Sequence, residues 1–251
     1  MSSQDEQRGA IGGQVMRFQR VTSTMDVVWQ LVEAEAPHGM TVVAQVQTAG
    51  RGRFSRRWVS GEGDCLLTSV LLHPPADAAP LLSIAGALAA SDAVRALTGL
   101  ACMFKWPNDV LLNGRKVCGV LTEVRADTDG NVTAVLGVGL NVNLRPEEHL
   151  DIAEGAASLA SEMGIEFAVA DAEQAFLAGL RERYAQCLDA PQALIGDWSA
   201  RLSTIGKEVT VRRQDGAVHG IAEGVDSEGR LLVRLASGDV HALYAGEIAA
   251  T

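Results

Sequence analysis

The chain has 251 residues, of which 47% are hydrophobic and 21% are charged, and its formal net charge is −10. This length suits one large domain or a medium domain with a small one, and the apolar content excludes wholesale disorder. An acidic chain also lacks the overall basic charge that non-specific binding to nucleic acid requires. The most apolar stretch, 81–97, contains Asp92 and Arg95, so we expect no membrane span.

The predicted elements begin after a polar tail at residues 1–14. A helix starts near Ser23, because Ser23 and Asp26 form a capping-box pattern before an apolar face. A second, buried helix lies between Pro80 and Gly99, and two more are expected near 171–184 and 191–202. Apolar, β-rich runs predict strands at 41–46, 65–72, 103–106, 110–112, 116–124 and 132–140.

The pattern of the chain changes near residue 203. Beyond it, four or five short apolar runs alternate with turn residues at a spacing of roughly ten residues, which is typical of a small β-barrel. We therefore predict one larger α/β domain over 15–203 and a small β domain over 204–251.

Several kinds of active site are excluded by their missing motifs. The sequence contains no P-loop, no G-x-S-x-G and no H-E-x-x-H, and its five histidines have no metal-ligand spacing, so we predict no metal site made by the protein. The four cysteines are widely spaced without a C-x-x-C pair, which favours free thiols in a reducing compartment. We expect a cytoplasmic protein.

Basic residues cluster in the segment 47–58. No acid occurs from residue 36 to 61, whereas four arginines fall within seven positions: Arg51, Arg53, Arg56 and Arg57. Because glycine allows close backbone approach and arginine donates a fork of hydrogen bonds to anions, we interpret the segment as an anion-binding loop; the alternative is a solvated basic loop. Lacking a local acid, the loop is expected to be mobile until an anionic ligand orders it, with Phe54 and Trp58 packing over that ligand.

Three further spots carry chemistry. Lys105–Asp109 follows a strand and places a lysine, an indole, an amide and a carboxylate together, although Trp106 could equally be a core residue before a turn. Lys116 lies at the start of an apolar strand. Its ammonium group either faces a cavity or reaches solvent at the sheet edge while its aliphatic part packs on the strand. Asn141 ends an apolar strand. Its side-chain amide either binds a ligand or belongs to an ordinary turn. Together, these basic and amide side chains could bind anions, whereas no catalytic nucleophile or set of metal ligands is recognisable. This combination indicates an enzyme that activates its substrate with a nucleotide but has no P-loop.

Four motifs, in this order along the chain, resemble those of the biotin protein ligases. They are Gln47–Arg53, Lys105–Val110, Lys116–Leu121 with Glu123, and Gly137–Val142. The resemblance implies an α/β (α+β) fold: a mixed-sheet catalytic domain of the biotin/lipoate ligase type followed by a small SH3-like β-barrel. It also implies an ATP-dependent enzyme that converts biotin to biotinyl-5′-AMP and transfers the biotin to one lysine of a biotin carboxyl carrier domain.

The resemblance assigns roles by motif. Biotin would contact Ser23, Thr24, Met25, Gln47, Arg51, Gly52, Arg53 and Lys116. ATP, with Mg²⁺ bridging its phosphates, would contact Arg51, Arg56, Lys105, Trp106, Asn108 and Asn141. Catalysis would depend on Lys116, Arg53 and Asp109.

The sequence departs from the family pattern at two places. Met25 stands where the family usually has asparagine, and Phe54-Ser55 replaces a small residue and glycine. Only 22 residues precede Ser23, too few for a three-helix DNA-binding module, so we expect the form without that domain, no DNA partner, no membrane partner and a possible homodimer. The alternatives are a lipoate-type protein ligase and a non-catalytic biotin- or nucleotide-binding protein.

Overall fold

A computed structural model describes residues 11–149, 152, 155–213 and 215–248, without the side chain of Ser55. Residues 1–10 of the predicted tail lie outside the described residues. Ile11 is fully buried in the main core, and its carbonyl accepts a hydrogen bond from Arg181 Nη1 at 3.2 Å. The predicted tail boundary at residue 14 is therefore wrong, since the chain is already packed at Ile11.

A seven-stranded mixed sheet forms the larger part of the protein. Its strands are β1 (Val15–Val21), β2 (Thr41–Gln47), β3 (Cys65–Leu72), β4 (Met103–Lys105), β5 (Asp109–Leu112), β6 (Arg115–Ala126) and β7 (Val132–Asn141). They lie in the order β1-β2-β3-β7-β6-β5-β4, with β1 parallel to β2 and every other pair antiparallel. The sequence predicted all of these strands except β1.

Helices cover both faces of this sheet. They are α1 (Thr24–Glu33), α2 (Leu82–Thr98), α3 (Leu159–Met163), α4 (Val169–Asp189) and α5 (Pro191–Ser199). Neighbouring residues on one strand point to opposite faces: Val42 packs in the cluster of α1, and Val43 packs in the cluster of α2 and α4. The sheet is therefore the middle layer between α1 and the other helices.

Helix α2 is the most apolar helix of the chain. Among the described residues, only Ala79–Thr98 is long and apolar enough to cross a membrane by length and composition, yet 67% of that window is buried inside the protein. Gly86 allows this close packing, because a Cβ there would lie 3.0 Å from Val120 Cγ1 on β6. Its burial identifies α2 as the central core helix.

A five-stranded antiparallel sheet follows. Its strands are β8 (Glu208–Arg213), β9 (Gly216–Val225), β10 (Leu231–Arg234), β11 (Val240–Leu243) and β12 (Glu247–Ile248), in the order β11-β10-β9-β8-β12. Its buried side chains join the same core cluster as α2 and α4. The C-terminal sheet is thus fixed against the larger one, and β12 reaches the cavity described next. The predicted α/β fold with a small C-terminal β domain is confirmed.

Candidate active site

A cavity of about 650 Å³ lies between the N-terminus of α1, the segment 47–58, strands β6 and β7, and β12. The structure brings every predicted site residue to its wall: Ser23, Thr24, Met25, Gln47, Arg51, Gly52, Arg53, Arg56, Lys105, Trp106, Asn108, Asp109, Lys116 and Asn141. These residues come from five separate stretches of chain, so the sheet topology, rather than sequence proximity, assembles the site.

The floor of the cavity is made of glycine. A Cβ on Gly139 of β7 would lie 2.4 Å from Trp58 Cε2, and one on Gly119 of β6 would lie 2.9 Å from Trp58 Cζ3. A Cβ on Gly137 would lie 2.8 Å from Met25 Sδ. Sequence analysis did not assign these glycines a role; glycine inside an apolar strand is the signal, because it marks a close approach.

One end of the cavity is polar and buried. Gln47 Oε1 accepts hydrogen bonds from the backbone N–H of Thr24 at 2.7 Å and from its hydroxyl at 3.1 Å, and this hydroxyl also lies 2.7 Å from Ser69 Oγ. Ser23 is buried, but its side chain does not cap α1, so the predicted capping box is wrong. This end suits a compact ligand group with its own donors and acceptors.

The centre of the cavity is positively charged. Lys116 Nζ lies 2.5 Å from Asp109 Oδ1 and 5.7 Å from the centre of the Trp58 ring. Among the residues that the structure describes, none pairs with the ammonium of Lys105. The described part of the wall holds six basic side chains and two acidic ones, inside a protein of net charge −10. Such a wall attracts anions.

Arg53 connects this centre to the C-terminal sheet. Its Nη1 donates to the carbonyl of Gly246 at 3.2 Å and lies 3.4 Å from Asn108 Oδ1. Burial lowers the pKa of Arg53 from its usual value, while the carboxylates of Asp109 and Glu247 act in the opposite direction. Arginine stays charged under such a shift, so Arg53 is a partly buried cation at the reaction centre.

The loop arginines find partners far along the chain. Arg51 pairs with Asp26 and Glu123, and Arg56 pairs with Glu247. The loop has no acid of its own, as the sequence shows, but tertiary packing brings carboxylates from α1, β6 and β12 to these arginines. Mobility of the loop without ligand stays a prediction.

The two aromatic anchors of the loop differ. Trp58 lies on the glycine floor, and its backbone N–H donates to the Gly50 carbonyl at 3.0 Å. Phe54 is 44% exposed and holds φ at 54°, in the left-handed region that a non-glycine residue adopts at a cost of about 1–2 kcal/mol. The Trp58 ring thus rests directly on the glycines as part of the cavity wall, whereas Phe54 points largely to solvent; the packing of both over a ligand stays a prediction.

The residues assigned to ATP are not equally available. Trp106 is 2% exposed, and its indole N–H donates to the carbonyl of Gly229 at 3.2 Å. Trp106 is therefore a core tryptophan at the cavity wall, and its contact with ATP stays a prediction. Asn141 Nδ2 donates to the Ala157 carbonyl at 2.9 Å, so this amide holds the cavity rim; its contact with ATP stays a prediction.

A polar end, an apolar glycine floor and a cationic centre together define a class of protein. They suit an enzyme that holds a small acid with its carboxylate beside phosphate, as ligases that activate acids with a nucleotide must. The biotin/lipoate A/B protein ligase family matches residues 16–143, and the biotin protein ligase C terminal domain matches residues 204–249. The chain belongs to the biotin/lipoate A/B protein ligase family.

Individual relatives agree with this assignment. The chain is 35% identical over 243 residues to the bifunctional ligase/repressor BirA of Bacillus spizizenii, covering 94% of this chain and 74% of that one. It is 39% identical over 207 residues to the biotin–[acetyl-CoA-carboxylase] ligase of Mycobacterium tuberculosis, covering 77% and 72%. The structure of the Aquifex aeolicus biotin protein ligase in complex with biotin and ATP is similar at a TM-score of 0.80 and 29% identity, covering 94% and 97%. The predicted family is confirmed.

Proposed function

We propose that this protein is an ATP-dependent biotin protein ligase, which forms biotinyl-5′-AMP and transfers the biotin to a lysine of a biotin carboxyl carrier domain. One observation carries the proposal: a buried polar end and a cationic centre share one cavity, joined by a floor without side chains. The ligase activity named for its relatives supports it.

Biotin fits this cavity lengthwise. Its ureido group has donors and acceptors that match Ser23, Thr24 and Gln47 at the polar end. The sulfur-containing ring and the aliphatic chain lie against Met25 and Trp58, which rest on the glycines of the floor, so that both ligand and wall are apolar there. The carboxylate then reaches Lys116.

Activation is an electrostatic problem. The carboxylate oxygen bonds to the α-phosphorus of ATP, the bond to the β-phosphate oxygen breaks, and pyrophosphate leaves. Two anions must approach, so Lys116, Arg53 and Lys105 lower the barrier by stabilising the charge that develops. Mg²⁺ would come with ATP, held mainly by the phosphates, and would offset part of their negative charge.

Transfer breaks the mixed anhydride. The neutral amine of the carrier lysine attacks the biotinyl carbonyl, an amide bond forms and AMP leaves. The amine must lose a proton, and Asp109, beside Lys116, is the carboxylate that we assign as acceptor. The four cysteines are free and buried, as in a reducing compartment, and we propose a cytoplasmic enzyme. A homodimer stays a prediction.

Incubation of the purified protein with ATP, Mg²⁺, biotin and a biotin carboxyl carrier domain tests the function. We expect intact-mass analysis to show one added biotin on the carrier, and none when the acceptor lysine is replaced by arginine. A lipoyl carrier domain with lipoate serves as the competing substrate. Preferential modification of the lipoyl domain would refute the assignment of biotin and establish the lipoate-type alternative.

A further inference from the structure

Arg51 lines the cavity, and its guanidinium belongs to an ion-pair network with two carboxylates. Its Nη1 donates to Asp26 Oδ1, and its Nη2 donates to Glu123 Oε1 at 3.0 Å. Both carboxylates are held by a second donor: Thr22 Oγ1 lies 3.2 Å from Asp26 Oδ2, and Trp29 Nε1 lies 2.7 Å from Glu123 Oε2. The guanidinium is therefore bound by two fixed carboxylates.

This network joins three walls of the cavity. Asp26 stands in the first turn of α1, next to Met25; Glu123 stands on β6, two residues after Leu121; and Arg51 directly precedes Gly52 of the loop. Arg125, also on β6, places its guanidinium 3.7 Å from the centre of the Trp29 ring. The loop is thus tied to both elements that flank the polar end.

We propose that Arg51 is a positioning residue, which holds the loop closed over the biotin end of the cavity through Asp26 and Glu123. The inference rests on the proposed function and changes one assignment within it. Asp26 and Glu123 offset the positive charge of Arg51, so Arg51 would stabilise a bound phosphate only weakly. Arg53, Lys105 and Lys116 are the cations at the centre of the cavity. Arg51 would act on biotin by keeping the loop in place.

The alternative role makes an opposite prediction. If the Arg51 guanidinium instead turned to the carboxylate or phosphate of the ligand, Glu123 would compete with the ligand for it. Removing the charge of Glu123 would then leave biotin binding unchanged or make it tighter. If Arg51 acts through Glu123, the same change must weaken binding.

The variants are Arg51→Gln, Glu123→Gln and their combination, with Glu33→Gln on the exposed end of α1 as matched control. Calorimetry gives the biotin Kd, and pyrophosphate release gives kcat. We expect each single variant to raise the Kd for biotin about three- to tenfold, which is the size of effect that a partly exposed, charge-assisted ion pair gives. The kcat should change less than about twofold, because Arg51 does not act on the reacting atoms. The double variant should bind biotin no more weakly than Arg51→Gln alone, because Arg51→Gln already removes the pair that Glu123→Gln breaks.

Trypsin gives a second readout that needs no ligand. Without biotin, cleavage within the loop should be faster in Glu123→Gln than in Glu33→Gln. An unchanged Kd in Glu123→Gln, additive effects in the double variant, or equal cleavage rates would each overturn the proposal while wild-type ligase activity stands. A wild-type protein that binds no biotin would overturn the proposed function itself.

Discussion

Replacing Lys116 with alanine removes the cation that lies closest to Asp109 at the centre of the cavity. The ammonium is 2.5 Å from Asp109 Oδ1, and the two side chains are 36% and 24% exposed. The change therefore affects two quantities, the rate of adenylation and the stability of the fold, and the structure predicts very different sizes for them.

The effect on rate is large because the charge acts on the transition state. Loss of one preorganised electrostatic donor typically costs about 10²- to 10³-fold in kcat, or about 3–4 kcal/mol. The effect on stability is small, because a partly exposed ion pair contributes about 1 kcal/mol or less. For a protein of this size, that corresponds to a fall in Tm of about 2–4 °C.

Pyrophosphate release with biotin and ATP measures the first quantity, and thermal unfolding measures the second. Lys207→Ala, an exposed lysine outside the cavity, is the matched control and should behave as wild type. Activity of Lys116→Ala within twofold of wild type would refute the electrostatic role and restore the interpretation of Lys116 as a snorkelling edge lysine. A large loss of Tm would show that the ion pair is structural.

Three other outcomes follow from the same cavity. Arg53→Gly removes a partly buried cation that is bonded to the Gly246 carbonyl, so the acyl-adenylate should escape and label lysines of a bystander protein; labelling at the wild-type level would contradict this. Gly139→Ala places a Cβ 2.4 Å from Trp58 Cε2, so calorimetry should show weaker biotin binding with a destabilisation of about 1–3 kcal/mol, whereas an unchanged Kd would place biotin elsewhere. Biotin with ATP should slow trypsin cleavage within 47–58, and equal rates with and without ligand would show that this loop does not gate the site.

Local sequence signals predicted most of the fold. The Asn113-Gly114 pair, a sequence typical of hairpin turns, connects β5 to β6 with φ values of 49° and 81°, and Gly99 ends α2 at φ 73°. Strand β1 was missed because its half-buried side chains, Val15, Phe18 and Val21, recur every three residues rather than every two; Val15 packs on the α2 side of the sheet and Phe18 on the α1 side. It forms by pairing with β2, which is an interaction that no local pattern encodes.

The same limit applies to the site. The four motifs contain most of the predicted wall residues, because each motif reads one stretch of chain; Ser23, Thr24, Met25 and Arg56 lie outside them. They could not predict that Arg56 pairs with Glu247, 191 residues away, or that the Trp106 indole meets Gly229 of the C-terminal sheet. Partners brought together by tertiary packing decide which of these side chains remain available to a ligand.

The most direct test of the central claim is detection of the activated acid itself. The protein is incubated with ATP and Mg²⁺ together with biotin or lipoate, without any carrier domain, and the bound small molecules are identified by mass. The cavity predicts biotinyl-AMP in the first reaction and little or no lipoyl-AMP in the second. Lipoyl-AMP in equal or greater amount, or the absence of any acyl-AMP when the protein is folded, would contradict the claim that this cavity activates biotin.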